Sequence, residues 1–540
     1  MADERAQAKL ARQGELETAR RPEERAWKEI ARLFRPDDQD FDGESDGNRR
    51  DTTDPEIFDA TPIYALDDFV GGLFGQGINP TDRWFGFGVA DDPDLAKWGP
   101  VKQFNWGAAN AVFGSVSPAV SPFYSRAPAW LANLGAFGFG PFYQEEWIGR
   151  QQIIDRAIPV GESYMATDAT GATNEFHRKF MLTGKQIKGF FGTQFDASML
   201  GDNDKKIIVH AVSENPEFDP NRLGSKPWLS CYVSPDIKDF YIEGGYYEFP
   251  YHVPTWNEKA KSAYGSGPGH TSKSDAAMLQ EMERSAIVAA QFDAEKVLLL
   301  NDESVLTAAD VVPGAVLHGT MTDQGKRMAE YLDRGGKYSL SEKKSEERRA
   351  AIRMAFRFSM MQVVNRPQMT LGEFSGWKEQ ELKLMAPNLV RLQTQGLAQW
   401  VWRRFRILQR AGQIPPVPME LTRRKLTVEF ESPLARVQRF ANARSVLQAH
   451  QGLEQLAVTD PAVRDNWNND VAAKHVVSAF TDVPDLLFDP QVVAETRRAR
   501  AQLQQQQRQL EQTAQAVETA AVASHAVQAK TLADQRRPAA

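Results

Sequence analysis

The chain has 540 residues, 42% hydrophobic and 25% charged, an ordinary globular composition with apolar material for more than one core. Its net charge of −7 argues against a protein that grips nucleic acid by counterion release, so any DNA contact is expected to be weak, loose or local. One cysteine, Cys231, excludes an intramolecular disulfide and a cysteine-rich zinc site, and no stretch approaches the roughly 18 apolar residues of a membrane span.

Residues 2–29 are charged and lack an apolar signal region, so a soluble protein made in the cytoplasm is expected. Residues 3–34 read as an amphipathic helix with Trp27, Ile30, Ala31 and Phe34 on one face, ended by Pro36. Residues 37–56 are acidic and turn-rich and read as an exposed loop. In Ile57–Phe87 the first half is predicted helical, Ile63, Leu66, Asp67 and Val70 sharing a face; the second half is predicted broken by Gly71, Gly72, Gly75, Gly77 and Pro80. An aromatic and glycine cluster follows at Ala136–Tyr143.

From about 151 to 250 the period changes to two. Gln151–Ala166, Glu175–Leu182, Lys206–Val212, Pro227–Val233 and Phe240–His252 predict a small antiparallel barrel or sandwich inside an otherwise helical chain. Helices return after the loop Gly265–Gly269, first over 274–296 with Met278, Met282, Ala286 and Ala289 on one stripe. Residues 297–340 are mixed, with candidate strands at Val297–Leu300 and Ala315–His318. Ser339 and Glu342 have capping-box spacing at the head of a helix to about Val363, and Thr370 and Glu373 repeat it before a pattern of about forty residues. Pro387 should kink that pattern; Gly412, Pro415 and Pro416 should end it. Lys425–Phe430 reads as a lone strand, and 433–490 as short helices punctuated by Asp460–Pro461, Asp482–Pro484 and Asp489–Pro490. In the Ala- and Gln-rich tail, Thr496, Leu503, Leu510 and Val517 are seven apart, either a weak heptad seam suited to a ring of helices or a solvated tail.

Catalytic patterns are missing. The loop Gly265–Lys273 lacks the Gly-Lys-Ser/Thr order of a phosphate loop and reads as a flexible connection. The eight histidines show no helical zinc spacing, His210 and His252 lie in strand-like segments as packing or surface residues, and Asp67 and Asp68 face different ways. Cys231 reads as a small buried hydrophobe, and no G-x-S-x-G elbow occurs. No enzyme, cofactor or metal is expected.

The segment Ile57–Phe87, with its Asp-Ala-Thr start, glycine-broken middle and Asn79–Pro80…Arg83–Trp84–Phe85 ending, resembles the head-to-tail connector (portal) family of T7-like short-tailed bacteriophages. Further similarities follow in order: Arg35–Pro36, the cluster at 136–143, Tyr264–Pro268 before a helix, Met369–Thr370, Arg410–Gly412 with Ile414–Pro415, and Ser432–Ala435 after the strand. Thr370–Leu371–Gly372–Glu373 departs from the family's helix start, and 297–340 is hard to align.

The resemblance implies a mainly helical α+β portal fold forming a twelve-fold ring. It would divide into a wing (1–273, with the β barrel from about 151), stem helices at 274–296 and 341–362, and a clip at 297–340. A channel-facing tunnel loop at 363–370 would carry Val364, Asn365, Arg366, Pro367, Gln368 and Met369. The long kinked helix and wing strand would span 371–432, the crown 433–490 and a C-terminal helical barrel or tail 491–540. Implied partners are copies of itself as a homo-dodecamer, double-stranded DNA in the channel, the terminase large subunit, a tail adaptor protein, and the major capsid and scaffolding proteins, with no membrane and with the virion's portal vertex as its place.

Negative charge suits such a conduit, since like-charge repulsion over a Debye length of about 8–10 Å keeps a duplex centred and mobile. Arg366 could touch DNA or a neighbouring subunit, whereas Arg403, Arg404 and Arg406 are expected in salt bridges between subunits more than on DNA. The rival readings are a tail adaptor or internal ejection protein, a packaging ATPase or nuclease, and a coiled-coil scaffold.

Overall fold

The computed structural model describes the chain apart from residues 1–2, 39, 42–55, 82, 93–94, 148–151, 193–199, 295–297, 301–328, 332–337, 358–384, 423, 431–432, 481–485, 487–489 and 535–540. It has two compact units, one of residues 1–87, 108–415 and 428–434, the other of 88–107, 416–427 and 435–540.

In chain order the elements begin α1 (Glu4–Phe34), α2 (Thr61–Gly77), β1 (Phe85–Val89), α3 (Gly99–Ser115), α4 (Phe123–Phe137), β2 (Phe142–Trp147), β3 (Gln152–Ala157) and β4 (Ser163–Thr167). Next come β5 (Thr173–Thr183), α5 (Gly184–Phe191), β6 (Lys205–Glu214), β7 (Trp228–Ser234), β8 (Asp239–Tyr246) and β9 (Tyr251–His252). The rest are α6 (Pro268–Ala294), β10 (Leu298–Leu300), β11 (Ala329–Tyr331), α7 (Tyr338–Ala355), α8 (Ala398–Arg410), β12 (Leu426–Phe430), α9 (Pro433–Ala457), α10 (Asn469–Phe480) and α11 (Pro490–Asp534). The α+β, mainly helical class read from the sequence holds.

In the first unit, Asp3 opens α1 by accepting the Arg5 N–H, and the expected face of Trp27, Ile30, Ala31 and Phe34 is buried. The helix crosses a five-stranded antiparallel sheet ordered β4-β5-β6-β7-β8, with Ala6 packed against Ala211, Cys231 and Val233. Cys231 is therefore the buried small hydrophobe expected of it. Arg20, itself buried, donates to the carbonyl oxygens of Gly161 at 2.7 Å, Ser163 at 3.0 Å and Phe41 at 2.6 Å, and so ties the helix to the β4 edge.

The predicted barrel does not close. β4 pairs only with β5 and β8 only with β7 among the described residues, so the sheet is open, and β3-β2-β9 form a separate three-stranded sheet. One reason is α1, which covers the face around Ala211 and Val233 that curling strands would otherwise have to cover. Lys425–Phe430 is not alone either, because β12 pairs with β1.

Glycine produces the other departures. α2 continues through Gly71, Gly72 and Gly75 to Gly77, since burial of Leu66, Phe69 and Leu73 outweighs the weak helix propensity of glycine. The loop Gly265–Gly269 is not a flexible connection but a packed seam. A Cβ on Gly265 would lie 2.4 Å from the Gly138 carbonyl oxygen, one on Gly267 2.7 Å from that of Gly135, and one on Gly269 2.3 Å from that of Ala136. Gly138 itself ends α4 at φ 79°. The two glycine clusters of the sequence thus meet backbone to backbone.

Of the predicted stem, 274–296 is found as α6, which starts earlier at Pro268; 341–362 is found as α7, which starts at Tyr338 and gives way to a turn at Phe356 and Arg357. Ser339 therefore lies in the first turn and not at the cap. Of the predicted stripe, Met278 is exposed and Met282, Ala286 and Ala289 are half-buried, while α6 fully buries Ser272, Ala276, Leu279 and Gln280. Within 297–340, the predicted clip, β10 pairs antiparallel with β11, and Ala315–His318 lies outside the described residues.

In the second unit, α9, α10 and α11 follow the Asp-Pro punctuation, with Pro433 and Pro490 as first helical residues. His450 stacks on Trp467 at 5.7 Å, and Arg497 of α11 holds Asp470 of α10 at 2.5 Å.

Candidate functional site

The predicted tunnel-loop residues Val364, Asn365, Arg366, Pro367, Gln368 and Met369 lie outside the described residues, as does the capping box at Thr370. The chain on either side of them is firmly seated. On the N-terminal side Phe356 is fully buried, its ring 5.4 Å from Phe34 and 5.9 Å from Phe69. On the C-terminal side Met385 is buried and the Asn388 amide donates to the Trp256 carbonyl and to Asn257 Oδ1, both at 2.8 Å.

From 385 to 410 the backbone is helical, interrupted by a π-helical segment at Leu392–Leu397 and not broken at Pro387. The widening has visible partners. Gln395 Oε1 accepts the Thr255 N–H and hydroxyl at 3.0 Å, and Gly396 sits where a Cβ would come within 3.0 Å of Trp130. The following helix α8 buries one whole side, Trp400, Val401, Arg403, Arg404, Phe405, Ile407 and Leu408. Gly412, at φ 69°, then stops it, the Gln413 N–H reaching Leu408 O at 2.9 Å.

This placement corrects the reading of two arginines. Arg404 donates to Asp155 Oδ2 at 2.6 Å and to Ser115 Oγ and O at 3.0 and 2.7 Å, while Asp155 also accepts from Trp400 Nε1 at 2.9 Å and Ser121 Oγ at 2.9 Å. Arg403 donates to the Gln144 carbonyl at 3.1 Å and to that of Glu248, and burial lowers its pKa from the ordinary guanidinium value. Both are internal ties between α8 and the body of the subunit, available neither to DNA nor to a neighbour. Only Arg406 of the three is exposed, lying over the Trp402 ring.

Helices α6 and α7 carry a second set of ties. Arg349 of α7 reaches Asp59 at 2.7 Å, Glu283 of α6 at 2.8 Å and Glu346 at 3.3 Å, and Arg348 reaches Asp275 at 2.6 Å. Gln280 of α6 takes the Phe58 and Asp59 N–H groups at 2.8 and 3.1 Å and returns its own amide to Asp59 O at 2.6 Å. Burial works to raise the Asp59 carboxyl, but the hydrogen bonds from Thr61 and Arg349 prevail and hold it low. Sequence reasoning missed Asp59, Asp155 and Gln280, whose partners stand far away along the chain.

Two helices carry apolar side chains that are largely or partly exposed: Met278, Ile287 and Val288 on α6, and Leu503, Leu510, Val517 and Val522 on α11. His210 and His252, by contrast, are buried, as packing residues would be. Among the described residues no cluster of His, Cys, Asp and Glu could hold a metal ion, and no helix is long and apolar enough to cross a membrane.

The sequence profile of the family described as "Bacteriophage head to tail connecting protein" matches residues 6–486. The chain belongs to that family. The connector is similar to the "Portal protein" of Salmonella phage epsilon15, 26% identical over 559 residues that cover 99% of this chain and 96% of that one. It is also 26% identical to the "Probable portal protein" of Bordetella phage BPP-1 over 533 residues, 95% and 94% of the two chains. A solved structure titled "Neck of empty GTA particle computed with C6 symmetry" is similar at a TM-score of 0.37 and 9% identity, covering 77% of this chain and 90% of that one, a likeness too slight to carry weight. The relatives match over 95–99% of the chain, which favours the portal reading over a tail adaptor or an ejection protein.

Proposed function

We propose that the connector is a portal subunit whose copies close into a ring, twelve-fold by expectation, around a bore that lets double-stranded DNA pass. The carrying observation is that α6 and α11 expose apolar side chains, among them Met278, Ile287, Leu503, Leu510 and Val517, in a chain matched over residues 6–486 by the connecting-protein family. Residues 1–273 serve as the wing, α6 and α7 as the stem, 297–340 as the clip, 433–490 as the crown and α11 as a barrel helix. The ring sits at one capsid vertex, meets the major capsid and scaffolding proteins, docks the terminase large subunit during packaging, and then takes a tail adaptor for ejection.

The part proposed for the segment 363–370 rests on its position between two seated anchors, Phe356 and Met385. Deleting 364–369 is expected to leave rings intact in electron micrographs while packaging or DNA retention fails; unchanged packaging removes the loop from the mechanism. The ring itself is tested on purified protein. Micrographs without a central passage, or reproducible nucleotide hydrolysis by the protein alone, would overturn the conduit reading.

A further inference from the structure

The helical stretch from Met385 to Arg410 has residues at both ends that face the body of the subunit. Ahead of the π-helical turn, Met385, Asn388 and Leu392 are buried. Beyond it, α8 buries Trp400, Arg403, Arg404, Ile407 and Leu408 among others. Carried through without interruption, a regular α-helix would set the centres of these two buried faces roughly 100–120° apart. With one residue left out of the count they fall within about 20–30° of each other. The turn at Leu392–Leu397 achieves that in space.

The Ala398 N–H bonds Gln393 O, where an α-helix would use the carbonyl of Thr394. Thr394 is exposed and bonds only its own helix, its hydroxyl reaching Val390 O at 2.8 Å. Both sides of the turn are pinned. Before it, the Asn388 amide holds Trp256 O and Asn257 Oδ1, and Arg391 reaches Glu258 at 3.3 Å. Within it, Gln395 takes the Thr255 N–H and hydroxyl, and a Cβ on Gly396 would press on Pro254 and Trp130 at 3.0 Å. After it, Arg404 holds Asp155. An α-helical form of the same sequence, with α8 kept in place, would put Leu389 where Asn388 stands. The buried Trp256 carbonyl would then lose its donor, at the cost of an unmade hydrogen bond.

We propose that Leu392–Leu397 contains a one-residue phase insert, which turns the stretch before it by about 100° so that Asn388 and Arg404 meet their partners together. The insert fixes the angle at which the chain enters the body at Met385. It also makes this turn the place where the helix can lose a residue without moving either end.

Deleting Thr394 from the intact chain tests this, with deletion of Arg406 as the comparison. Both side chains are exposed, so the pair isolates the phase of the helix. Without Thr394 the helix should be regular, both ends seated, and the melting temperature within about 4 °C of the wild type. Without Arg406, Ile407 and Leu408 turn out of the core, and folded protein should not accumulate. Asn388→Ala supplies a second readout. It should lower the melting temperature equally in the wild type and in the Thr394 deletion, because its seat is the same in both. Equal tolerance of the two deletions, loss of folded protein on deleting Thr394, or an Asn388→Ala change that is silent in that background overturns the phase insert.

Discussion

Arg404 lies 2.6 Å from Asp155, and both side chains are almost wholly withdrawn from solvent. A buried pair of this kind is costly to break from one side, because the remaining charge has no water to return to. Asp155→Ala should therefore destabilise the subunit by about 3–5 kcal/mol, whereas Arg406→Ala, on the exposed side of α8, should stay within about 0.5 kcal/mol. Chemical denaturation of the two variants measures both. Comparable effects would mean that Asp155 does not anchor α8.

The glycine seam separates two uses of one residue type. At Gly269 an added Cβ would meet the Ala136 carbonyl at 2.3 Å, so Gly269→Ala must push two backbone segments apart. At Gly71, inside α2, nothing lies within 4 Å of the added atom. Gly269→Ala should prevent accumulation of folded protein or cost about 3 kcal/mol or more, and Gly71→Ala should stabilise by about 0.5–1 kcal/mol. Thermal melts of the pair decide it.

Those two glycines also show what could be read from the sequence. The amphipathic period of α1, the alternation of β5 to β7 and the Gly-Pro stop after α8 are local signals, and each was readable. Asp155 and Arg404 stand 249 positions apart, with no period or motif linking them, so a single sequence presents Arg404 as one more cation on a helix. Glycines at 265–269 look alike whether chosen for freedom or for lack of volume, and only their neighbours at 135–138 distinguish the two. α5 was missed although Thr183 and Gln186 form a full capping box, because strand patterning on both sides masked one short helix. The predicted tunnel loop depends on family resemblance, since no local pattern marks it.

Stability should vary with pH on two limbs of opposite sign. Burial holds His210 and His252 well below the ordinary imidazole value, so the folded state binds fewer protons and stability is lost as pH falls below about 6.5. Burial raises Glu145 to about 7, so there the folded state binds more protons. Its contribution is intact below about 4.3 and declines as pH rises through about 7. Glu145→Gln should therefore match the wild type near pH 4.5 and exceed it at pH 8, by at most about 3 kcal/mol and less for a half-buried group. Melting temperatures at the two pH values check the sign, and a variant less stable than wild type at pH 8 would refute it.

The last helix gives the sharpest test of assembly. α11 has 45 residues, about 65 Å of helix, yet Leu503, Leu510 and Val517 are 62%, 68% and 70% exposed. An isolated helix of that composition has little to hold it, because most helical stability in proteins comes from packing of an apolar face. If neighbouring copies supply that packing, α11 should resist limited proteolysis in rings and be cut in dissociated subunits. Changing Leu503, Leu510 and Val517 together to Gln should abolish the protection in rings. The same substitutions should leave unfolding of dissociated subunits unchanged within about 0.5 kcal/mol, since Leu503, Leu510 and Val517 are exposed surface there. Equal cleavage of wild type and variant in intact rings would show that the seam is solvent-facing, and the C-terminal segment would be a tail and not a barrel.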